Sequence, residues 1–153
     1  MQTWAAINAG FHYIAIMGLA ATLSIEVLTL KGTVTAEALT RLTRVDALYG
    51  LSALLVLVTG LLRVLVFGKG VDFYLYNWIF HLKVVIFIAV GLWSVLPTLR
   101  FMRWRKAYLQ AGVLPTAAEF SAMRKVAFAE VHLLAILPFL AALMARGIGF
   151  IGS

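Results

Sequence analysis

Four runs of mostly apolar residues, at about 5–30, 46–67, 75–99 and 126–145, set the limits on what this chain can fold into. Each reaches the ~20 residues that a helix needs to cross the hydrocarbon core of a bilayer. Lipid offers the backbone no hydrogen-bond partners, so a spanning run must satisfy its own amide groups and is expected to be helical. A soluble core has no room for these runs: 63% of the 153 residues are apolar, and the mean hydropathy is +1.00. The expectation is an all-α transmembrane four-helix bundle, with residues 1–153 forming a single integral membrane domain in contact with the lipid bilayer. The first run, Trp4 to Leu30, follows no basic stretch and exceeds a signal-peptide core. Despite the small-x-small pattern of Gly18-Leu19-Ala20, it reads as a retained span.

The charges lie between the runs. A formal net charge of +7 comes mostly from Lys31, Arg41 and Arg44 in the first connection and Arg100, Arg103, Arg105, Lys106, Arg124 and Lys125 in the third. Such a distribution is a topological signal, not a nucleic-acid footprint, because positively charged connections stay on the cytoplasmic side. It places connections one and three inside and both termini on the outer, periplasmic side. Thr35-Ala36-Glu37 is read as the start of a short interfacial helix, and Pro115 to Glu119 as the start of a surface helix. Pro97 is expected to mark the exit of the third span and Pro138 to kink the fourth. Short connections make consecutive helices antiparallel neighbours. Gly18, Ala21, Gly50, Ala53, Gly60, Ala89 and Gly91 are expected to let them approach closely.

Ionisable residues inside a bilayer are costly and point to function. Depth along each span follows from the helical rise of ~1.5 Å per residue. On that scale His12, His81, Arg63 and Lys83 share the outer half, while Glu26, Asp46, Glu130 and His132 collect in the inner half. Arg63 and Lys83 have no acidic span residue at their depth, and a cation in low dielectric needs a counter-anion. A b-type haem matches both features, with imidazoles from His12 and His81 as axial ligands to the iron and two cations for the propionates. Phe11, Tyr13, Trp78 and Phe80 are placed to flank the macrocycle. The alternatives are structural. His12 can serve as a helix-to-helix hydrogen-bonding residue, and Arg63 and Lys83 can snorkel to the interface. His81 and Lys83 lie about 200° apart around their helix and cannot both face one axis. The inner acids are expected to form an ion-pair network with Arg44, Arg100 or Arg124, since Glu130 and His132 sit on nearly opposite faces.

Cysteine is absent, so thiolate chemistry and iron–sulfur ligation are excluded. No phosphate loop, dinucleotide fingerprint, nucleophile elbow or His-Glu-x-x-His motif occurs. Arg44 to Gly50, Thr59 to Arg63, Phe67 to Gly70, Pro97 to Phe101 and Leu143 to Gly147 resemble an uncharacterised family of small bacterial inner-membrane proteins that carries only a domain-of-unknown-function label. More distantly, Phe11-His12-Tyr13-Ile14, Thr59-Gly60-Leu61 and Phe80-His81-Leu82-Lys83 are similar to HemJ-type protoporphyrinogen oxidases and to the membrane domain of copper-resistance D proteins. That resemblance implies haem binding at His12 and a lysine required for activity, here Lys83. The chain departs from the HemJ pattern at Leu92-Trp93-Ser94 and Ala129-Glu130, which weighs against protoporphyrinogen oxidation itself. The leading expectation is therefore a bacterial inner-membrane protein holding haem b or a porphyrin-like anion, in redox exchange with a quinone or porphyrin. The rivals are a non-enzymatic accessory subunit of a membrane complex and a small metal or solute transporter that works as a homo-oligomer through Glu26, Asp46 and Glu130.

Overall fold

The computed structural model describes residues 2–152, and its elements are helices: α1 (Gln2–Lys31), α2 (Ala36–Leu62) with a π-helical turn running on from it (Arg63–Phe67), the short α3 (Val71–Leu75), α4 (Trp78–Ala111) and α5 (Ala117–Ala145). Four of these, α1, α2 with its π-turn, α4 and α5, are long and apolar enough to cross a membrane. The chain is a transmembrane four-helix protein, as its apolar runs imply. Helix α1 packs on α2 and α5, and α4 packs on the same two, so the ring order is α1, α2, α4, α5. One end of the bundle, the terminal end, carries the Gln2 and Gly152 ends of the described residues and the 68–77 connection; the other, the basic end, carries the turns at 32–35 and 112–116.

The helices outrun the spans. The 34 residues of α4 reach roughly 51 Å at the helical rise, against a hydrocarbon core of ~30 Å. The excess lies at the basic end, and it absorbs much of what the sequence suggests as connection. Thr35 does start a helix, its Oγ1 accepting from the Ala38 amide at 3.1 Å, but that helix is α2 itself and not a separate interfacial segment. Pro97 does not end the third span either: it is buried inside α4, which continues to Ala111 because Phe101 and Trp104 still have a core to fill. Gly112 then stops the helix in the left-handed region, at φ +66°.

Helix α5 opens with a capping box. Thr116 Oγ1 accepts from the Glu119 amide at 3.2 Å, and Glu119 Oε2 accepts from the Thr116 amide at 2.8 Å. Thr116→Ala is expected to cost about 1 kcal/mol, read as a lower unfolding midpoint in detergent, whereas Thr116→Ser should retain the wild-type value.

Buried side chains concentrate at the basic end. Leu30 of α1, Leu39 and Leu42 of α2, Phe101 and Trp104 of α4 and Phe120 of α5 form one cluster that extends into the spans through Leu19, Leu23 and Tyr49. Trp104 stacks on Phe120 with ring centroids 5.5 Å apart. Around the spans themselves large apolar side chains such as Leu92 and Phe139 face outward, as lipid requires. At the terminal end, the fully buried Asn77 caps α4 through the Ile79 amide at 3.0 Å. It also donates to the Ile148 carbonyl at 3.2 Å, tying the C-terminal segment across the bundle.

Small residues bring α1 and α2 together at some of the expected positions and not at others. A Cβ added at Gly18 would lie 3.0 Å from Ser52 Oγ, and one at Gly60 would lie 3.4 Å from His12 Cε1. Gly50 and Gly91 have no neighbouring atom that a methyl group would meet, so they mark no close helix contact.

Candidate functional site

Two polar layers interrupt the apolar bundle. In the layer nearer the terminal end, Asn8 and His12 stand one helical turn apart on α1 and both reach Thr59 of α2. The Asn8 amide Nδ2 donates to the Thr59 carbonyl at 3.1 Å, and His12 Nδ1 lies 2.8 Å from Thr59 Oγ1. The direction of the second bond follows from the hydroxyl's single proton. Thr59 Oγ1 is 2.5 Å from the Leu55 carbonyl, which can only accept, so the hydroxyl donates there. Its lone pairs then receive the proton of His12 Nδ1. A neutral imidazole held in this tautomer presents Nε2 with its lone pair free.

Arg63 begins the π-turn that follows Thr59 by one turn of helix, and single π-turns in α-helices recur at functional sites. Its guanidinium lies over the Tyr13 ring, 5.8 Å from the centroid. Arg63 and Lys83 are both within electrostatic reach of His12, and of each other. Each is half-buried. Three of the four residues singled out from the sequence thus come together, although they sit on three helices. His81 stands apart: it is exposed, with Nε2 2.8 Å from the Leu75 carbonyl. Phe11, Tyr13 and Trp78 are also exposed and do not close over His12. Asn8 is not among the residues the sequence singles out, and Thr59 enters there only through the resemblance, without a role as partner of His12. The signal for them was the four-residue spacing of Asn8 and His12, which places both on one face of an otherwise apolar helix.

The second layer lies toward the basic end. Glu26 of α1 and Glu130 of α5 are 2% and 1% exposed, and the Oε1 atom of each is buried without a hydrogen-bond partner among the described residues. The expected ion pairs with Arg44, Arg100 or Arg124 are not made at these atoms. Arg44 and Arg100 are exposed and Arg124 is half-buried, consistent with long side chains drawn toward water rather than into the bundle. Asp46 of α2 accepts from Thr98 Oγ1 at 2.8 Å. His132 is exposed and bonds the Phe128 carbonyl at 2.7 Å, on the face opposite Glu130 as its position in the sequence implies.

Residues 4–149 match the family described as Predicted membrane protein (DUF2214). The chain belongs to this family. The matched stretch contains both polar layers of the DUF2214 chain, from Asn8 through Glu130. The family's description gives a membrane location and no activity, so function in this DUF2214 protein rests on the chemistry of those layers. No curated protein and no solved structure matches the chain.

Proposed function

We propose that this protein binds b-type haem, or a related anionic tetrapyrrole, at the His12 layer and acts in electron transfer or redox chemistry with a membrane quinone or porphyrin. The observation that carries the reading is the imidazole of His12, fixed through Nδ1 and free at Nε2, beside two cations with no acidic span residue at their depth. Histidines that ligate a metal characteristically donate their other ring N–H to a fixed acceptor, which sets the tautomer and the ring plane. Thr59 performs that role here, and Asn8 in turn holds the Thr59 backbone. The donor set fits a tetrapyrrole: Nε2 of His12 for the metal, and Lys83 and Arg63 for carboxylates that would otherwise be uncompensated in low dielectric. A bound haem supplies one-electron chemistry. The chain's own residues orient the attachment point, supply positive charge and keep the surroundings apolar. His81 has no part in this attachment, because it is exposed and its Nε2 is engaged by the Leu75 carbonyl.

Thr59→Val removes the acceptor for His12 Nδ1 with little change of shape. It is expected to weaken haem binding about 10–100-fold, the usual range for losing such an outer partner. Thr59→Ser should restore affinity. Absorbance titration of the detergent-purified protein with haemin reads both, and equal affinity for the wild type and Thr59→Val would remove the Thr59–His12 bond from the mechanism.

A further inference from the structure

The acidic layer lies apart from the His12 layer along the bundle. Glu26 and Glu130 are almost wholly buried, each with an oxygen that no donor among the described residues satisfies. The charged and titratable groups that face them come from three helices: Glu26 itself from α1, Asp46 and Tyr49 from α2 and Glu130 from α5. Helix α4 adds only the hydroxyls of Ser94 and Thr98. Among the described residues no cation enters this group. Carboxyls held together in low dielectric require positive charge from somewhere. A metal ion is a poor candidate, since among the described residues no three acidic or histidine side chains are gathered closely enough to hold one. A proton needs only one oxygen.

The layer also has a way out. Asp46 and its partner Thr98 line an open cleft of about 650 Å³ between α2 and α4, whose far wall carries Arg105 and Lys106 at the basic end. Asp46 therefore lines the cleft and is also within electrostatic reach of Glu26 and Glu130.

We propose that Glu26 and Glu130 form a proton-binding site inside the membrane, loaded from water at the basic end through the cleft and Asp46. A proton taken up at Asp46 passes to an unpartnered carboxylate oxygen of Glu26 or Glu130 and returns by the same route, so the site stores and exchanges protons without any covalent change. Asp46 is a relay, and the buried pair is the store. Such a site would suit a protein that couples another event in the membrane to proton uptake from one side.

Infrared spectroscopy of the full-length protein in phosphatidylcholine vesicles tests this without naming a ligand. The wild type is expected to show a protonated-carboxyl carbonyl band that shifts on transfer to deuterated buffer. Glu130→Gln or Glu26→Gln should remove or diminish the band, and Asp46→Asn should leave it present but slow its deuterium shift. Dicyclohexylcarbodiimide, which attacks protonated carboxyls in apolar surroundings, gives a second reading on unmodified protein: its adduct is expected on Glu26 or Glu130, located by peptide mass spectrometry. Absence of both the band and the adduct would overturn the site, as would their disappearance on adding sodium, potassium or calcium ions, which would make the occupant a metal ion. A deuterium shift equally fast in Asp46→Asn would overturn the route through the cleft.

Discussion

Phe101→Ala is expected to lower stability by about 3–5 kcal/mol, the range for truncating a fully buried aromatic residue. The side chain has no exposed surface, sits against Trp104 with ring centroids 5.7 Å apart, and belongs to the cluster that joins all four long helices. Its position lies beyond the apolar run that ends near residue 99, where α4 leaves the lipid and water competes for exposed surface. There the hydrophobic effect acts as in a soluble protein, whereas deeper in the bilayer it gives helices little reason to associate. Leu92→Ala is the control. That residue is 72% exposed on the lipid-facing surface of the same helix, and its truncation opens no cavity. Unfolding in detergent, followed by Trp fluorescence, should show a large loss of midpoint for Phe101→Ala and little change for Leu92→Ala. Equal effects would mean that the basic end is not the stabilising core.

The four spans were legible because twenty or so apolar residues in a row admit few structures, and lipid admits fewer. Their extensions were not. Residues 36–45 and 100–111 are rich in charge and read as connection, yet they form helix because Leu39, Leu42, Phe101 and Trp104 recur on one face and bury together. Pro97 misleads for a related reason: proline removes one backbone hydrogen bond, and helix packing on both sides of it outweighs that local loss. In the candidate site, depth alone brought His12, Arg63 and Lys83 into one layer, since rise per residue is nearly invariant in a helix. Rotation about the helix axis is the harder quantity. It separates His81 from Lys83, and it turns His132 away from Glu130, where an angular estimate served well. The unpaired state of Glu26 and Glu130 was beyond the sequence, because whether an arginine at a span end reaches inward or outward depends on packing and solvent, not on residue order.

His12→Ala is expected to abolish stoichiometric tetrapyrrole binding while leaving the bundle assembled. The imidazole is half-buried and joins the fold through Thr59 and the nearby Val56 backbone, whereas Asn8 still links α1 to α2 after the substitution. Loss of the Thr59 bond costs about 0.5–1.5 kcal/mol, small beside the loss of the one imidazole whose free nitrogen lies in the cationic layer. His81→Ala, altering an exposed side chain outside that layer, should bind as the wild type does. The contrast between the two variants separates attachment at His12 from loose association of haem with any histidine at the terminal end.

The direct measurement is a reduced-minus-oxidised visible spectrum with a pyridine haemochrome assay, on wild-type protein purified in mild detergent after expression with haem supply. The account predicts a b-type spectrum at one haem per chain, absent from His12→Ala and retained in His81→Ala. A folded, colourless wild type, or one that takes up haem equally well without His12, would contradict it.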